Sequence, residues 1–451
     1  MLPEPTLSFT LPSLHDDTVL DCRVYHCQAL SPSATNAPQW KRHAAIMAHP
    51  YAPLGGCYDD PIVNIVASAL LRQGFLVGTF NFRYDASWPA NTLKLNRGAS
   101  GSAGRTSWTA KPERSDYMSF IGFMVYYMHF LDPFGPPRNS SGPEMHTHTN
   151  TFHTQSETTP SELPLLLLGG YSYGAMITTQ IPPMAQIMAQ FATPPVGSAA
   201  ADIRLRAQHL AEQQNVILAS ARAAHSTSPR KTYLGMRVGG DEDTQRKSHD
   251  SRRSFSIDAE DKIRRGVNEL LAKTKRHHHK SAPVPEEDTQ TGLANHEVPN
   301  MLGEVVGLTR VRPAYLLVSP LQGVITHLAT MSFLPTSAGR GLFSRAPTRP
   351  REQGAPAYTS DHRQLSETKL VENGTLALFG DRDVFVPVAK LRGWVQRLES
   401  ADGSRFHGEE VPGAGHFWAE AKVAHVLRDK VAAFAADLLR ANDGPVETAT
   451  P

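Results

Sequence analysis

The chain has little cysteine, no long apolar run and almost no net charge, and each shortage excludes something. Its three cysteines, Cys22, Cys27 and Cys57, fall in no metal-binding or redox spacing, and so sparse and odd a count suits a reducing compartment rather than a disulfide scaffold. The longest apolar stretch, 120–131, is about half of the ~20 residues that a membrane-spanning helix needs. A formal charge of +2 argues for no particular partner, and no nucleic acid is expected. The opening MLPEPTLSFTLPSLHDD has neither the basic start nor the apolar centre of a secretory leader, so the reading is a soluble, cytoplasmic protein.

What is present is concentrated in one place. The run 163–175, LPLLLLGGYSYGA, delivers Ser172 in the frame Gly-Tyr-Ser-Tyr-Gly. Leu165 to Leu168 reads as a strand buried on both faces, and the residues after it as a sharp strand-to-helix turn that lifts a serine hydroxyl clear of the backbone. Such a turn leaves no room for neighbouring side chains, hence Gly170 and Gly174 on either side of the serine. Taken alone the pattern is weak, and its surroundings give it weight.

Three other segments fall in the order that serine-dependent acyl chemistry uses, serine first, then an acid, then a histidine. Downstream, 376–379 is another buried-strand run, and it opens into Gly380-Asp381-Arg382-Asp383, an acidic loop at a strand's C-terminal end. Further on, Val411-Pro412-Gly413-Ala414-Gly415-His416 places a histidine in a glycine-rich loop before a C-terminal amphipathic helix. Upstream, the strand-like 44–48 runs into His49-Pro50-Tyr51-Ala52-Pro53-Leu54-Gly55-Gly56, whose backbone N–H groups suit an oxyanion site.

Together these residues resemble the α/β-hydrolase superfamily, in particular esterase-like and serine aminopeptidase-like members with a His-Pro, Gly-Gly oxyanion loop. The resemblance implies a mostly parallel central sheet with helices on both faces and a cofactor-independent, metal-free serine hydrolase. It implies Ser172 as nucleophile, His416 as base and, of the competing Asp381 and Asp383, Asp383 as acid, with Asp381 solvated or capping its loop. The implied oxyanion donors are the N–H groups of Tyr51 and of Tyr173, the residue after the nucleophile. His49 is then a loop residue beside the oxyanion strand, and His327 a packing or substrate-wall residue. The triple histidine 277–279 lacks carboxylate or cysteine partners at ligand spacing, so no metal is expected there.

Chemical signals spread from residue 49 to residue 416 indicate one interrupted domain rather than several. Residues 5–30 read as an N-terminal hairpin, and strands at 43–48 and 75–82 alternate with helices at 61–74 and 113–131. Three stretches look inserted: 133–161, a polar linker; 190–310, partly helical, with a charge-rich part at 226–300 expected to be disordered; and 335–372, a lid or loop. Removing them leaves about 260 residues, ample for a packed core. Pro182-Pro183 should end the elbow helix early, after which Met184, Ile187, Met188 and Phe191, then Ile203, Leu210 and Ile217, resume helical spacing. The basic stretch 260–276 reads as a solvated helix, with a membrane surface or partner as the lesser reading.

The expected function is hydrolysis of an ester, thioester or small amide of a small acyl substrate. An ester is favoured because Met176, Phe385, Phe417 and Trp418 would make an apolar acyl pocket. The alternatives are a serine aminopeptidase-like peptidase and, in another class, a non-catalytic binding or scaffold protein on the same fold. Oligomeric state is not legible.

Overall fold

Apolar runs that read as buried strands become the centre of one eight-stranded sheet. The computed structural model describes residues 1–33, 40–83, 110–135, 163–226, 265–266, 300–321 and 367–442. The strands are β1 (Leu7–Pro12), β2 (Val19–Tyr25), β3 (Ala44–Ala48), β4 (Leu76–Phe80), β5 (Leu165–Tyr171), β6 (Arg312–Val318), β7 (Thr375–Arg382) and β8 (Phe406–Gly415). Their order across the sheet is β1-β2-β4-β3-β5-β6-β7-β8. The hairpin strands β1 and β2 pair antiparallel, β2 meets β4 antiparallel, and every other neighbour is parallel. This is the α/β-hydrolase fold that the motifs imply.

The strands are apolar throughout because both faces are covered. Along β5, Leu166 and Leu168 join one core while Leu165 and Leu167 join the other, and β3 and β7 alternate in the same way. Helices α1 (Pro61–Arg72) and α7 (Val423–Asn442) cover one face. The other carries α2 (Lys111–Phe130), α3 (Tyr173–Gln180), α4 (Met184–Ala192), α5 (Ala199–Ser226) and α6 (Val388–Glu399).

Local chemistry sets the helix limits. Asp60 caps α1 by accepting from the N–H groups of Ile62 and Val63, Pro61 needs no N–H at the first position, and Gly74 turns the chain away at φ 94°. A cap of this kind is worth about 1 kcal/mol. The apolar stretch at 120–131 is explained by α2, which is buried nearly all round because it lies between the sheet and α5. No helix among the described residues is long and apolar enough to cross a membrane.

Pro182 and Pro183 do separate α3 from α4. In α5 the spacing Ile203, Leu210, Ile217 drifts off the buried face: Ile217 is exposed and Leu218 is buried in its place. Steps of seven fall short of two 3.6-residue turns, so the stripe moves on by one position. The far end of the long connection after α5 returns to the turn between α4 and α5, with Pro195 bridged to Met301 and the Val196 N–H donating to the Asn300 carbonyl. Residues 367–372 form a helical turn before β7. Residues 136–161 of the polar linker, the histidine run 277–279, His327, most of 226–300 and residues 335–366 lie outside the described residues.

One element differs from its sequence reading. Val411 to Gly415 belongs to a strand, β8, although Pro412, Gly413 and Gly415 read as loop. Proline is tolerated because β8 is an edge strand. The pairing with β7 also slips between Gly380/Val411 and Arg382/Gly415, which makes a bulge. Gly380 is required there: a Cβ on it would stand 1.9 Å from the Ala414 carbonyl oxygen.

Candidate active site

The elbow forms as its glycines require. Ser172 sits between β5 and α3 at φ 55° and ψ −111°, a conformation that L-residues avoid and that persists only where the surroundings hold it. Its N–H donates to the Val318 carbonyl at 2.8 Å, and its own carbonyl accepts from the Met176 N–H to start the helix. A Cβ on Gly170 would come within 2.2 Å of the Gly174 backbone, and one on Gly174 within 2.5 Å of the Ala48 carbonyl oxygen. Glycine at both positions lets strand, helix and β3 pack this closely.

The bulge carries His416 from the end of β8 over the end of β7. Its Nδ1 lies 2.7 Å from Asp383 Oδ2 and its Nε2 lies 2.8 Å from Ser172 Oγ. A carboxylate only accepts, so Nδ1 carries the proton and Nε2 is left to accept from the serine hydroxyl. Asp383 Oδ1 in turn accepts from the N–H groups of Phe385 and Val386. Burial works to raise the Asp383 pKa, but the hydrogen bond and charge of His416 and those two N–H groups outweigh it, and the carboxyl is held below its ordinary value. Asp381 faces elsewhere: exposed, it accepts from the Gly413 N–H at 2.7 Å and braces the bulge.

Tyr51 begins a single 3-10 turn, Ala52–Leu54, and its carbonyl accepts from the N–H groups of Leu54 and Gly56. The Tyr51 and Tyr173 rings are tilted together with centroids 5.1 Å apart, and a Cβ on Gly174 would stand 2.7 Å from the His49 carbonyl oxygen, so the two segments that carry Tyr51 and Tyr173 run close to each other. His49 locks this loop to β4. Its Nδ1 donates to the Pro50 carbonyl and its Nε2 accepts from the Phe82 N–H at 2.9 Å, an arrangement open only to the neutral ring. Burial pushes the His49 pKa down to about 4, against a small upward pull from the Pro50 carbonyl.

Because the folded value lies below the ~6.5 of an unfolded histidine, the unfolded chain binds the extra proton first. Stability tied to His49 is thus complete above about pH 6.5 and drains away as the pH falls toward 4, at about 1.4 kcal/mol per unit. In an NMR titration the His49 ring should change charge near pH 4; a midpoint near 6.5 would contradict the locked neutral ring.

Of the four apolar residues expected to line the site, two do so. Phe385 and Phe417 pack edge-on against the His416 ring at 4.6 and 5.5 Å, and Phe417 is 60% exposed. Met176 and Trp418 are core residues, each 1% exposed, because α3 turns its Met176 face inward and the Trp418 ring folds beneath the loop. One residue that sequence reasoning missed is Lys369. It is buried beneath the elbow helix, where its Nζ donates to the last carbonyls of Thr178 and Ile181, and burial pushes its pKa well down. No group of three or more His, Cys, Asp or Glu among the described residues is arranged to hold a metal ion.

No family's sequence pattern matches this chain, and no curated protein does. Similar solved structures include an alpha-beta serine hydrolase homologue from Coxiella burnetii, 12% identical over 96% of this chain and 99% of that one, with a TM-score of 0.38. They also include Est1E from Butyrivibrio proteoclasticus, 10% identical over 96% and 99%, TM-score 0.39. A third is a thermophilic esterase, Est2 from Thermogutta terrifontis, 10% identical over 97% and 95%, TM-score 0.36.

Proposed function

We propose that the chain is a serine hydrolase of the esterase-like kind that cleaves carboxylic esters of small acyl substrates through an acyl-enzyme on Ser172. The observation that carries this reading is the unbroken hydrogen-bond chain from the Asp383 carboxylate through His416 to the Ser172 hydroxyl. Ser172 Oγ attacks the ester carbon while His416 Nε2 takes its proton, and the imidazolium then gives that proton to the departing alkoxide. Water repeats the sequence to release the acid. The N–H groups of Tyr51 and Tyr173 receive the charge that develops on the carbonyl oxygen, and loss of one such donor costs about 3 kcal/mol of transition-state stabilisation. Asp383 keeps the tautomer and offsets the imidazolium charge.

Ester rather than peptide is favoured by what surrounds the imidazole. The leaving group departs beside His416, and there the neighbours are the rings of Phe385 and Phe417, which stack edge to face at 5.7 Å. Such a wall suits an apolar alcohol. The three cysteines are unpaired, which fits a cytoplasmic setting.

The test is a panel of p-nitrophenyl esters run beside aminoacyl p-nitroanilides. Turnover of esters with little amide cleavage is expected, and the reverse would make the chain a peptidase. Phe417→Ala should lower kcat/KM about five- to ten-fold for aryl esters and far less for methyl esters, the value of one aromatic contact. An equal loss on both would remove Phe417 from the leaving-group side.

A further inference from the structure

Asp383 and Ser172 bond the two nitrogens of the His416 ring and Phe385 and Phe417 pack against it, and where the ring aims depends also on where its backbone is held. The described residues supply that fixture from a distance. The His416 carbonyl accepts two hydrogen bonds, one from Tyr171 Oη at 3.1 Å and one from Ser319 Oγ at 3.3 Å. Tyr171 ends β5 and immediately precedes Ser172, while Ser319 immediately follows β6. Two central strands thus reach across to the loop that leaves the edge strand. Ser319 Oγ accepts in turn from Trp418 Nε1 at 2.9 Å, two residues beyond the histidine, so the loop is closed on itself through one hydroxyl.

Two features single this network out from ordinary core polarity. It is fully enclosed, with Tyr171 2%, Ser319 0% and Trp418 1% exposed, where a hydroxyl is costly unless bonded. It also gathers backbone strain. Seven non-glycine described residues have positive φ, and three of them, Ser172 at 55°, Ser319 at 46° and Trp418 at 54°, meet in this one place. Each costs roughly 1 kcal/mol or more and survives only where neighbours over-determine it. Burial, with the charges of Asp60 and Asp383, raises the Tyr171 pKa, so its hydroxyl stays a donor.

We propose that Tyr171 and Ser319 are positioning residues, whose hydroxyls clamp the His416 carbonyl and so aim its imidazole at Ser172 Oγ. The inference rests on the hydrolase reading above. It ties the base to the nucleophile's own strand: Tyr171 and Ser172 are adjacent in the chain, so one end of β5 holds both the attacking oxygen and the group that receives its proton.

The experiment uses the full-length protein with Ser172→Ala, with Tyr171→Phe, Ser319→Ala and the Tyr171→Phe/Ser319→Ala pair, and with these hydroxyl deletions repeated in Asp383→Asn, p-nitrophenyl acetate being the probe. Each single hydroxyl deletion should lower kcat about ten-fold and the pair about 100-fold, with KM within two-fold, the scale set by misplacing a reacting group by a fraction of an ångström to an ångström. The same deletions made in Asp383→Asn should cost less than three-fold, because a ring in the wrong tautomer gains nothing from being aimed. A merely structural role would instead lower the thermal midpoint and leave kcat per folded molecule unchanged. If the pair does not fold, Tyr171→Phe alone decides, since it removes one oxygen from a ring of the same shape. Unchanged kcat in Tyr171→Phe, or losses in Asp383→Asn as large as in the parent, overturns the clamp. Full turnover in Ser172→Ala overturns the hydrolase reading itself, so the two failures are told apart.

Discussion

Replacing Ser172 by alanine is expected to abolish ester turnover, by about 10⁴- to 10⁶-fold in kcat, and to end labelling by a fluorophosphonate, while the protein remains folded. The size follows from the chemistry: without Oγ there is no acyl-enzyme, and only the oxyanion donors and binding remain. The fold should hold because the substitution keeps the Cβ and hence the same backbone demand at φ 55°. It also keeps the Ser172 N–H bond to the Val318 carbonyl, and the one bond lost, to His416 Nε2, is worth about 1 kcal/mol. Far-ultraviolet circular dichroism and thermal unfolding should match the parent. Turnover at the parent rate would mean that the nucleophile is another group.

The second large effect separates two aspartates that stand two positions apart. Asp383→Asn should cost about 10⁴-fold in kcat with KM little changed. In that variant the side-chain carbonyl keeps the N–H groups of Phe385 and Val386, which turns the NH₂ toward His416 Nδ1. Nδ1 must then accept, the proton moves to Nε2, and the ring loses the lone pair that takes the serine proton. Asp381→Asn should cost less than about three-fold, since its amide oxygen still accepts from the Gly413 N–H in an exposed position. Steady-state kinetics on both variants checks the assignment, and an exchange of their behaviours would move the acid to Asp381.

The sequence carries the middle of this fold more openly than its margins. Leu165 to Leu168 and the run at 376–379 are legible because a strand covered on both faces must be apolar at every position. The elbow is legible because its geometry forbids a Cβ at Gly170 and Gly174. The strand leading to His416 is not, because proline and glycine at 412, 413 and 415 mimic a loop, and only the edge position with its bulge makes them a strand. The site divides in the same way. Ser172 and Asp383, read from local motifs, each lie within hydrogen-bonding distance of His416. The bonds of Tyr171 and Ser319 leave no local mark, since a hydroxyl's partner 245 or 97 positions away imposes no pattern on its neighbours. Lys369 is hidden likewise, its partners lying 191 and 188 positions off.

The spacing of the three site residues along the chain bears on when the site is assembled during folding. His416 and Asp383 are 33 positions apart and each follows directly on one of two adjacent parallel strands, whereas His416 and Ser172 are 244 positions apart. Contacts between remote positions form late, because the entropy of closing a long loop is lost before the contact offsets it. A refolding chain is therefore expected to recover its helices, the strand before Ser172 and the Asp383–His416 pair before Ser172 and His416 meet. The Ser172–His416 bond is expected to form only with the docking of β7 and β8 onto the central strands, and so to mark completion of the sheet rather than the formation of any one part.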